Sequence, residues 1–133
     1  MPYLIDSDWV IDHLDNVPEA LELLDRLASD GIAISIISYI EAYQGVERSL
    51  DPDQAEVKFQ AFVDSVLVLP ISPAVAKRCA RLREELRRRS RRVNSRALDL
   101  IIAATALEHD LILVTRNVED FQDIPYLHIY QPS

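Results

Sequence analysis

The hydrophobic positions of the chain form two kinds of segment that alternate. Short runs of consecutive apolar residues predict strands buried on both faces, because such strands have no polar side. Between these runs, apolar residues recur every three or four positions, which predicts helices that pack one face on a sheet. The predicted strands are residues 3–5, 32–37, 66–69, 111–115 and a shorter 127–130. The predicted helices begin near residues 7, 18, 38, 51, 73 and 96, and a turn or short helix follows at 116–121.

This alternation predicts a single α/β domain over residues 1–133. Strands that are apolar on both faces indicate a mostly parallel sheet of four to five strands with helices on both sides, a three-layer α/β/α architecture. With 133 residues, 49% of them hydrophobic, the chain is long enough to bury one core. We therefore expect one compact domain without linkers or repeats.

The composition also indicates a compartment. The single cysteine, Cys79, excludes an internal disulfide and is typical of a reducing cytoplasm. The N-terminus lacks the basic region and the long apolar stretch of a signal peptide, and no apolar run has the length of a membrane span. We therefore expect a cytoplasmic protein with no membrane association.

One carboxylate lies in an almost wholly apolar stretch. On a helix, Asp99 shares a face with Ile102, Ala103 and Ala106, so packing of that face carries Asp99 toward the interior. A buried ionised carboxylate costs several kcal/mol unless a positive group meets it. No lysine or arginine lies between residues 97 and 116. Either an N-cap arrangement, for which residues 93–95 are candidates, or a bound cation must compensate Asp99.

Other carboxylates follow the predicted strands. Asp6 comes directly after the first strand, Glu41 lies early in the helix after the second, and Asn117 and Asp120 follow the fourth. Because parallel strands and their crossover helices meet at one edge, we expect these side chains to gather near Asp99. Such carboxylates tolerate each other only around a cation, and oxygen ligands favour Mg²⁺ or Mn²⁺. A site of this kind supports hydrolysis of phosphodiesters with one or two ions.

Glu41 has a competing structural interpretation. Ser38 and Glu41 have the Ser-x-x-Glu spacing of a capping box, which explains Glu41 without a metal. Similarly, Asp120 is either a metal ligand or an exposed turn residue.

Trp9 and Tyr39 are interpreted as core residues.

The net charge of −8 hides a basic segment. Residues 77–96 contain ten basic and two acidic residues. Its densest part, residues 87–92, is called the arginine strip below. The arginine strip is interpreted either as a solvated helix end or as a contact for the RNA backbone. A backbone contact sets the affinity for RNA but does not select an RNA sequence. The candidate RNA contacts are Arg88, Arg89, Arg91, Arg92, Arg96 and Arg116.

Four segments, in order along the chain, resemble the PIN domain family and, within it, the VapC-type ribonuclease toxins. They are YLI before Asp6, SYIEAYQG with Glu41, ALDLIIAATALEHD with Asp99, and LILVTRNVEDF with Asn117 and Asp120. The resemblance implies a Mg²⁺- or Mn²⁺-dependent endoribonuclease, usually a homodimer, inhibited by a small co-encoded antitoxin protein that covers or reaches into the acidic pocket. It implies that Asp6, Glu41 and Asp99 form a metal-binding acidic triad. The fourth ligand is either Asn117 or Asp120, and the Thr115 hydroxyl orients a carboxylate or water.

Two other function classes match parts of the sequence. Asp6-Ser7-Asp8 after a strand has the Asp-x-Asp form of haloacid-dehalogenase-type phosphatases, but neither Lys58 nor Lys77 follows a strand end, and Glu41 would have no role. A non-catalytic α/β module of the receiver type would need an acidic phosphoacceptor after its third strand. The sequence there is Leu-Pro-Ile-Ser.

Overall fold

The computed structural model of the protein describes residues 2–131. Met1, Pro132 and Ser133, which the predicted domain of residues 1–133 includes, lie outside the described residues. Four strands form one sheet. They are β1 (Tyr3–Ile5), β2 (Ile32–Ser35), β3 (Leu67–Leu69) and β4 (Ile112–Val114).

The sheet has the order β3-β2-β1-β4, and its three strand pairings are parallel. In its register, Tyr3 of β1 lies opposite both Ile32 of β2 and Ile112 of β4. The chain therefore winds from β1 to one side and returns to the other side with β4. Such a change of direction creates a crevice at the carboxyl ends of the two strands, where ligands bind in open α/β sheets.

Helices cover both faces of the sheet. They are α1 (Ser7–Leu14), α2 (Pro18–Leu27), α3 (Ile36–Glu47), α4 (Pro52–Asp64), α5 (Pro73–Arg88) and α6 (Ala97–Glu108). Neighbouring residues of β1 point to opposite faces, as the pleat requires. Leu4 packs in the buried cluster that contains α5 and α6, and Ile5 packs in the cluster that contains α1, α2, α3 and α4. The predicted three-layer α/β/α architecture is confirmed.

The boundary between β2 and α3 differs from the prediction. The predicted strand 32–37 ends at Ser35, and α3 begins at Ile36. Ser35 is the N-cap, and its hydroxyl accepts a hydrogen bond from the Ser38 backbone N–H at 3.1 Å. The predicted capping box of Ser38 and Glu41 is therefore wrong, because Ser38 already lies inside the helix.

Two predictions about the last third of the chain also change. Residues 93–95 do not supply a side-chain cap for α6, because a 3₁₀ turn at Asn94–Arg96 leads into the helix and places Arg96 at its N-cap position. The predicted strand 127–130 is reduced to one parallel bridge between Leu113 and Ile129. Within residues 2–131, no helix has both the length and the apolar character needed to span a membrane.

Candidate active site

Asp6 lies between β1 and β4 and is held there by hydrogen bonds. It follows β1 directly, caps α1, and is only 5% exposed. Its Oδ1 atom accepts a hydrogen bond from the Ser7 backbone N–H at 2.8 Å, and its Oδ2 atom accepts one from the Thr115 hydroxyl at 2.7 Å. Both bonds favour the ionised form of Asp6, but burial outweighs them and raises its pKa.

Thr115 is oriented in turn by the loop that follows β4. Its Oγ1 atom accepts the Asn117 backbone N–H at 3.0 Å, which leaves the hydroxyl proton for Asp6. The Asn117 side chain instead donates to Asp8 at 3.3 Å on the exposed rim. Thr115 therefore lies where the resemblance implies a carboxylate-orienting hydroxyl.

Glu41 reaches the same place from α3. The Ser7 hydroxyl donates to its Oε1 atom at 2.5 Å, and the Ser7 and Ser38 hydroxyl oxygens lie 2.9 Å apart. Ser7 and Ser38 are buried. Sequence reasoning missed this pair of serines as site residues. The available signal was their placement, because Ser7 follows Asp6 and Ser38 precedes Glu41 by nearly one helical turn.

Asp99 completes the acidic cluster from the first turn of α6. Its pKa is raised to about 6, first by burial and then by the negative charges of Asp6, Asp120 and Glu41, whereas Arg96 acts in the opposite direction. The structure thus brings these four carboxylates, from four separate segments, into one electrostatic neighbourhood. We refer to Asp6, Glu41, Asp99 and Asp120 as the acidic cluster.

Asp120 and Asn117 differ in their surroundings. Asp120 lies in a short 3₁₀ helix, Val118–Asp120, and its carboxylate accepts a hydrogen bond from Arg92 at 3.0 Å. The side chains are 58% exposed for Arg92 and 37% for Asp120, so this pair contributes at most about 1 kcal/mol. Asp120 can leave Arg92 at small cost, and its charge acts on Asp99, whereas the Asn117 amide is directed toward Asp8.

The donor chemistry of the cluster fits a hard divalent cation. It offers oxygen ligands only, and burial together with mutual repulsion leaves its negative charge poorly compensated. As the side chains stand, no three acidic, histidine or cysteine side chains among residues 2–131 converge closely enough to hold one ion. Glu41 and Asp120 are each engaged by a neighbour, Ser7 and Arg92 respectively. Ion binding therefore requires a local rearrangement of these two side chains.

The candidate RNA contacts separate into two groups. The exposed members Arg88 and Arg89 form surface ion pairs with Glu84 and Glu85 of α5. Arg91, Arg92 and Arg116 are also exposed. Arg96 is different, because its side chain is 3% exposed and paired with Asp123. The interpretation of Arg96 as an RNA contact is therefore wrong.

Arg116 and Trp9 lie together at the rim of the site. The Arg116 guanidinium carbon lies 3.9 Å from the centre of a Trp9 ring, and the guanidinium also pairs with Asp12. Trp9 is partly buried, so it is both a packing residue and the support of this arginine. Tyr39 packs edge-on against Phe59 with ring centres 4.9 Å apart, which agrees with its interpretation as a core residue.

Comparison with known proteins agrees with this geometry. The profile of the PIN domain matches residues 3–126. The chain belongs to the PIN domain family. A tRNA(fMet)-specific endonuclease VapC of Salmonella typhimurium is 28% identical over 97% of this chain and 96% of its own length. Ribonuclease VapC19 of Mycobacterium tuberculosis is 32% identical over 93% of this chain and 95% of its own.

Solved structures give the same result. VapBC2 from Rickettsia felis, bound to a DNA fragment from its promoter, contains a chain that superposes with a TM-score of 0.85 at 26% identity and full coverage of both chains. Within the PIN domain family, this chain therefore belongs with the VapC-type proteins. The two alternative function classes, a dehalogenase-type phosphatase and a receiver-like module, are set aside.

Proposed function

We propose that this PIN domain is a Mg²⁺- or Mn²⁺-dependent endoribonuclease and the toxin of a toxin–antitoxin pair. The observation that carries the proposal is the acidic cluster at the carboxyl ends of β1 and β4. Four carboxylates share this neighbourhood, and Asp99 has a pKa of about 6 because of burial and their charges. Membership of the VapC-type group, whose named relatives are ribonucleases, supports RNA as the substrate.

Each member of the cluster has a proposed role. Asp6, Glu41 and Asp99 would hold the ion, and Asp120 would complete the set. A bound divalent ion supplies Lewis acidity toward phosphate oxygens and toward the attacking water. The protein contributes orientation, because Thr115 and the Ser7 backbone N–H fix Asp6 before RNA arrives. One carboxylate of the cluster accepts the proton of the attacking water.

The partners follow by likeness to the relatives. The Rickettsia felis and Salmonella typhimurium structures contain VapBC bound to DNA, and a similar structure from Klebsiella pneumoniae is a toxin–antitoxin complex. By analogy we propose that a small antitoxin protein binds this chain and covers its acidic cluster. We also propose a homodimer that acts on RNA in the cytoplasm.

A cleavage assay tests the proposed reaction. We expect the purified protein to cleave single-stranded or structured RNA with Mg²⁺ or Mn²⁺, and EDTA to stop the cleavage, because the carboxylates alone repel the phosphate. Readdition of Mn²⁺ should restore activity. Absence of RNA cleavage under these conditions, with or without hydrolysis of small phosphate monoesters, would contradict the proposed reaction.

The arginine strip gives a second prediction. Replacing Arg88, Arg89 and Arg91 with alanine should weaken RNA binding, because each removes a cation that can meet a phosphate. The salt dependence of binding, plotted as log affinity against log salt concentration, should become shallower by about 0.7 for each lost phosphate contact. Arg92 is left unchanged because it touches Asp120.

The matched control for this prediction is Arg48→Ala. Arg48 is exposed at the end of α3, outside the arginine strip. Its loss should leave the salt slope unchanged. If the triple variant also keeps the wild-type slope, the arginine strip does not contact the RNA backbone.

A further inference from the structure

Arg96 is a buried arginine whose guanidinium is almost fully engaged. Its side chain is 3% exposed and makes four hydrogen bonds. Nη1 and Nη2 each donate to a different oxygen of the Asp123 carboxylate at 2.7 Å. Nη1 also donates to the backbone oxygen of Asp120 at 2.9 Å, and Nε donates to the backbone oxygen of Arg92 at 2.7 Å.

These bonds connect three segments next to Asp99 and Asp120. Arg92 belongs to the connection between α5 and α6, Arg96 is the N-cap residue of α6, and Asp120 and Asp123 belong to the loop after β4. Asp99 lies three residues after Arg96 in the first turn of α6. The contacts of Arg96 therefore set the position of the Asp120 backbone relative to the helix that carries Asp99.

Apolar packing alone does not determine this position. Phe121 and Ile124 of the same loop are buried against the cluster that contains α5 and α6, but such contacts have no direction. The planar guanidinium, in contrast, meets a carboxylate in one bidentate geometry. A lysine keeps the charge but cannot form that pair of parallel bonds.

We propose that Arg96 and Asp123 are positioning residues of the active site, whose bidentate pair holds the loop of Asp120 against the start of α6 so that Asp120 can join Asp99 around the divalent ion. The proposal rests on the proposed function, because it assumes an ion at the acidic cluster. Neither residue touches RNA or the ion. Their role passes through Asp120.

The direct test measures ion binding in the absence of RNA. Isothermal titration calorimetry of Mn²⁺ into Arg96→Lys should show roughly tenfold weaker affinity than into the wild type, the usual size for loss of a residue that orients a metal ligand. A role of Arg96 in RNA contact would leave this affinity unchanged. Wild-type Mn²⁺ affinity in Arg96→Lys therefore overturns the proposal.

A control is available at the other end of α6. Arg78 of α5 pairs with Glu108 of α6, with Nε and Oε2 2.8 Å apart. Glu108 is the last residue of α6, at the opposite end from Asp99. Arg78→Lys should bind Mn²⁺ as the wild type does, and an equal loss in both variants would mean that Arg96 acts only through general stability.

A double-mutant cycle tests whether Arg96 affects ion binding through Asp120. If Arg96 acts through Asp120, Arg96→Lys should cause no further loss of Mn²⁺ affinity in an Asp120→Asn background. Additive losses would show that Arg96 acts independently of Asp120 and would overturn the proposal. Thermal melts without metal establish that each variant is folded. If Arg96→Lys is unfolded at the assay temperature, Asp123→Asn replaces it in the cycle.

Mn²⁺ binding by the wild type and by Asp99→Asn distinguishes failure of the proposed function from failure of the positioning role. Absence of Mn²⁺ binding to the wild type, or wild-type binding by Asp99→Asn, rejects the metal site itself and with it the proposed function. Mn²⁺ binding that depends on Asp99 but not on Arg96 rejects only the positioning role.

Discussion

Asp99→Asn is expected to reduce RNA cleavage by roughly 10²-fold or more, the usual size for loss of a group that stabilises charge in the transition state. The substitution keeps the size and the helical position of the side chain but removes a negative charge from the acidic cluster. Because Asp99 lies in the first turn of α6, among charges from Asp6, Glu41 and Asp120, it is central to the proposed ion site. The measurement is initial cleavage rate at saturating Mn²⁺.

The same variant should lose stabilisation by metal. An ion that binds only the folded protein raises the free energy of unfolding by about 2.7 kcal/mol at a concentration a hundred times its dissociation constant. Added Mn²⁺ should therefore raise the melting temperature of the wild type and have little effect on Asp99→Asn. The control is Asp64→Asn, at an exposed position at the end of α4, which should behave as the wild type does in both assays. Full activity in Asp99→Asn would exclude Asp99 from the active site.

The four strands of the sheet and the acidic residues Asp6, Glu41 and Asp99 could be predicted from the sequence because their signals are local. Consecutive apolar residues identify a strand with two buried faces, and in a parallel sheet the residue after a strand lies at the ligand-binding edge. Asp6 is found by this rule alone. Glu41 is found because the crossover helix after the second strand begins at the same edge, although a capping box with Ser38 explained it equally well. Asp99 is found because a carboxylate in an apolar helix needs a compensating charge.

The start of α3 could not be predicted, because two serines fit the same local rule. Ser35 and Ser38 each precede a helical turn, and a serine at either position can accept a backbone N–H. The choice depends on tertiary contact. Ser38 is fully buried and meets Ser7 from α1, 31 residues earlier in the chain, so it is not available as the cap. Because Ser35 is the N-cap, Glu41 takes no part in a capping box, and its carboxylate accepts a hydrogen bond from the Ser7 hydroxyl.

Arg96 shows that local sequence also does not determine whether a charged side chain is buried. In sequence it continues a basic segment, which favours a solvated or RNA-facing side chain. Its burial depends on Asp123, which lies 27 residues later and supplies both oxygens for the guanidinium. Likewise, residues 127–130 have the composition of a strand, but their pairing is reduced to one bridge beside Leu113. Local composition does not determine how much of a segment pairs.

The second large effect is expected in the pH dependence of stability without metal. The pKa of Asp99 is about 6 in the folded protein and near its ordinary value of 3.8 in the unfolded chain. Between these values the unfolded chain releases the proton of Asp99 while the folded protein retains it. The contribution of Asp99 to wild-type stability therefore falls as pH rises from about 4 to about 6, and it is constant above that range.

Asp99→Asn removes this titration, so its gain in stability over the wild type should be near zero at pH 4 and largest above pH 6. The full shift corresponds to about 3 kcal/mol, and because Asp99 is only partly buried we expect about 1–2 kcal/mol. Urea unfolding of both proteins in EDTA at several pH values measures the difference. The difference in stability between the two proteins is used because His13 also titrates in this range. Burial lowers the pKa of His13, so the folded state becomes less stable as the pH falls below 6.5, the ordinary pKa of histidine.

His13 contributes equally to both proteins, so it cancels, and so do Asp123 and Glu84, whose arginine partners lower their pKa values. A difference between wild type and Asp99→Asn that does not change from pH 4 to pH 7 would show that Asp99 titrates normally. In that case the acidic cluster would carry no uncompensated charge, and the electrostatic reason for placing an ion there would be removed. With Mn²⁺ present the sign should reverse above pH 6, because the ion then stabilises the ionised wild type and not the variant.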